Sequence, residues 1–85
     1  MRVISQDGNV DLPYEQIVVC HAMENVTALH NEKEYVLGKY SSQEKAYKAM
    51  EMLREAWINE AIEFTHGIYH RNIVFQFPQD DEIEV

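Results

Sequence analysis

One cysteine, two prolines and three glycines are all that this chain of 85 residues contains of those types. With Cys20 alone no intrachain disulfide can form, a usage expected in a reducing compartment. The glycines, Gly8, Gly38 and Gly67, lie far apart and exclude a glycine-rich phosphate loop. No run approaches the roughly 18 consecutive apolar residues of a membrane-spanning helix. The opening MRVISQDG lacks the apolar core of a secretory signal, so a cytosolic location is expected. Positive charge is also scarce: 7 basic against 15 acidic residues give a net charge of −8. Affinity for a phosphate backbone comes from Lys and Arg displacing counterions, so direct nucleic-acid binding is not expected. An acidic surface suits a basic partner, or solubility alone.

What remains is globular. A hydrophobic content of 46% argues against disorder, and the length suits one domain. A chain this small buries only about 60–65% of its unfolded surface, which favours self-association.

Residues 40–63, YSSQEKAYKAMEMLREAWINEAIE, form the clearest element. Ser41 reads as an N-cap with Glu44 three positions on, a capping box. Ala46, Ala49, Met50, Leu53, Trp57 and Phe64 recur at helical spacing, with charged residues mostly opposite. The spacing predicts a helix over about 41–65, stopped near Gly67. At 1.5 Å per residue it would span about 35 Å, so its second half is expected to protrude.

Short strands precede it. Residues 2–5 and 10–13 flank Asp7-Gly8, a preferred type I′ hairpin pair. Pro13 should end the second strand or lie on an edge. Residues 16–21, QIVVCH, are nearly continuous in apolar character, as a central strand would be. Met23–Asn25 and Asn31–Lys33 read as turns around a strand at 26–29, and residues 34–40 as the next strand. Gly38 marks either a bulge or a close helix crossing. Residues 66–72 read as a loop, and about 72–77 as a final strand ended by Pro78. The expected fold is α+β: an antiparallel meander of four to five strands, the long helix across one face, then one strand. Residues 1–78 form the domain, and 79–85 a frayed acidic tail.

Chemistry-bearing groups are sparse. His66 and His70 have helical metal-ligand spacing, but Gly67 intervenes and no H-E-x-x-H follows. His21 and His30 would be brought together by adjacent strands, with Cys20 nearby. Cys20 lacks a base on its own face and reads as a small core residue. No catalytic constellation, cofactor or metal site is expected. The second helical half is apolar nearly all round, a pattern that seeks burial on more than one side. A homodimer is therefore expected through Trp57, Ile58, Ala61, Ile62 and Phe64, joined by the strand at 73–77.

Three segments carry a resemblance: ISQDGNVDLPYE, GKYSSQEKAYKAMEMLREAW and FQFPQDDEIEV. Together they resemble a family of small uncharacterised proteins of phages, prophages and genomes of Gram-positive bacteria. Its members open with I-S-Q-D-G … P-Y-E, carry a Y-S-[ST]-x-E-K-A … M-L-R helix start, and many end on F-Q-F-P and acids. The match covers about half of this chain and leaves His21 to Lys33 aside. It implies a phage context and no particular chemistry.

The leading expectation is a non-enzymatic binding protein that modulates a host factor, such as a defence or nucleic-acid-handling protein. Glu60, Glu63, Asp80, Asp81, Glu82 and Glu84 would form its acidic face. The alternative is a nucleotide-like ligand sequestered at a dimer interface by Trp57, His66, Tyr69, His70 and Arg71, against the repulsive field of the chain. A minor phage structural or assembly component is the third reading.

Overall fold

The computed structural model describes the backbone of residues 1–65 and 74–85, and the side chains of all of these except 60–65. The fold is α+β. Its strands are β1 (Arg2–Ile4), β2 (Asp11–Pro13), β3 (Val18–Ala22), β4 (Asn25–His30), β5 (Lys33–Lys39) and β6 (Val74–Gln76), and its helix is α1 (Gln43–Thr65).

The strands form two three-stranded sheets, not one meander. The first runs β2-β1-β6 and the second β3-β4-β5. β1 pairs antiparallel with β2 and parallel with β6, Val3 lying between Leu12 and Phe75. The parallel pairing follows from the long connection through β3–β5 and α1, since a parallel neighbour cannot be reached by a tight turn. The second sheet is the expected antiparallel meander. Residues 16–21 were expected at its centre, yet β3 is an edge strand and Gln16 belongs to a preceding 3-10 turn (Tyr14–Gln16). The true centre is β4, where Val26, Thr27 and Ala28 are all buried.

Two of the turns between strands form for different reasons. Asn31 and Glu32 both adopt positive φ (51° and 66°), the type I′ geometry that matches strand twist. Between β1 and β2 the expected type I′ pair at Asp7-Gly8 does not form, because only Gly8 has positive φ, at 79°. Side chains organise this longer loop instead. Ser5 Oγ donates to Asp7 Oδ1 (2.6 Å) and accepts the Val10 N–H (3.0 Å), and Asp7 Oδ1 also accepts the Asn9 N–H (3.0 Å). These bonds hold the Asp7 carboxyl below its ordinary range.

Gly38 lies at a bulge, as expected. Val26 pairs with Gly38 and Thr27 with Val36, so Leu37 is the extra residue. The close neighbour is not the helix but Tyr40, whose ring would lie 2.8 Å from a Cβ at position 38.

One core joins the two sheets. Val3, Leu12 and Phe77 enter it from the first sheet side, Val26, Ala28 and Leu37 from the second, and Ala46, Ala49 and Leu53 from α1. The small residues Ala46 and Ala49 are fully buried and let α1 approach β3 and β4 closely. The helix start is displaced by one residue from expectation. Ser42, not Ser41, accepts the Lys45 N–H (3.2 Å) with its hydroxyl. The Ser41 N–H is taken by Asp80. Gly67 and the loop at 66–72 lie outside the described residues.

Candidate functional site

Residues 4–15, 38–57 and 75–85 meet at one place, the N-terminal end of α1. Gln6 is its centre. Its backbone N–H donates to Leu37 O (2.7 Å), and its side chain accepts the Lys39 N–H (3.0 Å) and donates to the carbonyls of Lys39 (3.2 Å) and Pro78 (3.1 Å). The amide thus occupies the outer edge of β5 as a neighbouring strand would. Gln79 Nε2 returns a bond to Gln6 O (2.8 Å), and Gln76 Nε2 another to Ser5 O (3.3 Å). Tyr40 donates its hydroxyl to Pro78 O (2.9 Å). Burial, and then the carboxylates of Asp80 and Glu82, raise the Tyr40 phenol well above its ordinary value of 10.0.

The C-terminal residues are held here and do not fray. Asp80–Glu82 form a 3-10 turn, and Ile83 is buried in the core. The composition of QDDEIEV suggests solvation, but one isoleucine packed on the core anchors it. Asp80 Oδ1 accepts the Ser41 N–H (2.7 Å), while Lys45 Nζ reaches both Asp80 O (2.9 Å) and Oδ2 (3.3 Å). Glu82 Oε1 accepts the Gln79 N–H (2.7 Å). Asp80 therefore serves the tail's own anchorage and is not a free carboxylate for a partner. Asp81, Glu82 and Glu84 remain exposed, as does Glu44 in the first turn of α1. Beside them an open depression of about 420 Å³ is lined by His21, Gln43, Glu44, Tyr47, Lys48 and Val85.

The Ser41 N–H bond, followed by Lys45, holds the Asp80 carboxyl below its ordinary value of 3.8. A carboxyl depressed in the folded state stabilises it above the unfolded pKa, and that stability is lost as pH falls through the folded value. Asp80→Asn is accordingly expected to flatten the acid limb of stability below about pH 4. Urea midpoints measured across pH 2–6 check it; parallel wild-type and variant curves would show that Asp80 does not anchor the tail.

The other expected site residues are dispersed. Trp57 packs on Tyr14 with ring centroids 5.0 Å apart and planes at 35°. Ile58 is 47% exposed. The side chains of Glu60, Ala61, Ile62, Glu63 and Phe64, and the whole of His66, Tyr69, His70 and Arg71, lie outside the described residues. Residue 73 of the expected interfacial strand lies there too. His21 and His30 do not approach. His21 pairs with Val26 and stacks edge-on against Tyr47 (6.2 Å), while His30 pairs with Lys33 and contacts Gln16 (3.4 Å). Cys20 is exposed rather than a core residue, because it lies on the sheet face away from α1; its Sγ lies 3.3 Å from Thr27 Oγ1. Among the described residues no three His, Cys, Asp or Glu side chains gather to hold a metal. No helix there is long and apolar enough to cross a membrane.

Gln6, Tyr40 and Lys45 fall within ISQDG and YSSQEKA, but nothing in those segments says what they contact. Their partners are more than thirty positions away, and local periodicity carries no signal for such contacts. No family model, curated protein or solved structure matches this chain.

Proposed function

We propose that this chain is a non-catalytic, dimeric binding module of phage or prophage origin. It acts in the cytoplasm of a Gram-positive host, presenting carboxylates to a basic surface of a defence or nucleic-acid-handling protein. The observation that carries this reading is the anchorage of the acidic C-terminus. Ile83 and the Asp80–Ser41–Lys45 bonds hold the turn that bears Asp81, Glu82 and Glu84 against the start of α1, where Glu44 is also exposed. A frayed tail would have to be ordered on binding, at a cost of about 1–2 kcal/mol per residue for the backbone. Carboxylates already held avoid that cost and present a fixed pattern, the condition for electrostatic complementarity to give specificity.

The test is the triple variant Asp81→Asn, Glu82→Gln and Glu84→Gln. Its fold should be retained, since the three side chains are exposed, the amide oxygen that Glu82→Gln leaves can still accept the Gln79 N–H, and Asp80 and Ile83 are unchanged. Binding to a basic host protein should fall by about 10-fold or more, and wild-type binding should weaken as salt rises. Equal binding by the variant would remove the acidic-surface reading.

A further inference from the structure

The sheets present four edges, and three are guarded. β2 ends in Pro13 and carries Asp11, whose carboxylate pairs with Arg2 (2.8 Å). β6 is three residues long and is followed directly by Phe77-Pro78. The outer edge of β5 is capped at Leu37 and Lys39 by Gln6, and its first two residues, Lys33 and Glu34, are charged and exposed. The edge of β3 is different. Among the described residues no strand pairs with its outer side. Its sequence, VVCHA, has no proline, no acidic or basic group other than His21, and its ladder to β4 is unbroken from Val18 to Ala22. Natural edges are normally blunted by lysine, proline or a bulge, because an open edge recruits another strand.

The side chains around this edge point to what it recruits. On the sheet face away from α1, Val18 is 62%, Leu29 44% and Val36 43% exposed, and Cys20 is exposed with them. Elsewhere the chain is strongly acidic, so two copies, each at −8, repel one another wherever carboxylates meet. β3 is an edge along which they can join without that juxtaposition.

We propose that β3 pairs antiparallel with β3 of a second copy about a two-fold axis at Cys20, making one continuous six-stranded sheet. Cys20 is the midpoint of the strand, so this register pairs all five residues. Val18 lies opposite Ala22 of the partner subunit, Val19 opposite His21 of the partner subunit, and Cys20 opposite its own copy. The exposed valines and leucines of both copies then share one face. A closed two-fold pair also consumes both open edges, which a head-to-tail arrangement would not. This inference rests on the dimeric reading above and moves the interface from the helix end to a strand edge.

Sedimentation velocity over a range of concentrations tests it, with wild type, Val18→Lys and Cys20→Lys compared. Both positions are exposed, so the variants should fold, as circular dichroism would verify. Wild type should dimerise more tightly as salt screens the repulsion, the opposite of the salt response expected for the acidic face. Cys20→Lys sets two cations face to face and should weaken dimerisation by about 10-fold or more. Directly opposed residues have Cα atoms about 4.5–5.5 Å apart, within disulfide reach. Diamide, which accepts two electrons and two protons as two thiols become one disulfide, should therefore convert wild type to a covalent dimer. A wild type that stays monomeric would overturn both the dimeric reading and this interface. A dimer that persists in both lysine variants and resists cross-linking would overturn the interface alone.

Discussion

Phe77→Ala is expected to lower the unfolding free energy by about 3–5 kcal/mol, the range for emptying a buried aromatic site. Phe77 is 1% exposed and stacks edge-on against Phe75, with centroids 5.2 Å apart. It follows β6 directly, and its N–H donates to Ile4 O (3.0 Å). The side chain therefore closes the core where the last strand joins the first. A domain of this kind is stable by only about 5–15 kcal/mol, so the variant should be largely unfolded at modest urea. Trp57 on Tyr14 provides a fluorescence readout of unfolding. A loss below about 1 kcal/mol would mean that Phe77 does not fill the core as described.

Gly38→Ala should cost about 1–3 kcal/mol, more than a glycine-to-alanine change in an ordinary strand. The added Cβ would lie 2.8 Å from Tyr40 Cε2 and 2.9 Å from its hydroxyl oxygen. Tyr40 cannot swing aside freely, being 5% exposed and bonded to Pro78 O. Moving it would also give up that hydrogen bond, a further loss of about 1 kcal/mol. The mechanism is specific and so is its control. In a Tyr40→Leu background the ring is gone, and Gly38→Ala should then add little, a non-additivity that a double-mutant cycle reads directly. Equal costs in both backgrounds would locate the strain in the backbone of the bulge rather than against Tyr40.

Gly38 also shows what the sequence could and could not convey. A lone glycine inside a strand signals a local irregularity, and the bulge at Leu37 is there. Which group approaches it depends on the chain's return path, and nothing near position 38 specifies that. The same division runs through the fold. β4, β5 and their turn at Asn31-Glu32 follow from side-chain period and turn chemistry, which are local. The exchange of centre and edge between β3 and β4 does not. VVC looks like a buried strand, but sheet position depends on which neighbours exist, and among the described residues β3 has one. At the helix start two adjacent serines are equally good caps, and the choice is made by Asp80, which takes the Ser41 N–H from 39 positions away. The acidic residues of the tail were legible as charge. Their fixed placement was not, because it depends on Ile83 reaching the core and on Lys45 reaching Asp80.

The central claim is that an anchored acidic surface recognises a basic host protein, and affinity capture from a Gram-positive host lysate tests it most directly. Wild type and the Asp81→Asn, Glu82→Gln, Glu84→Gln variant would be compared at low and at high salt, with bound proteins identified by mass. The account predicts a basic protein held by wild type at low salt, released at high salt, and absent from the variant. A protein retained equally by both chains and at both salt concentrations, or no protein retained by wild type, would contradict it.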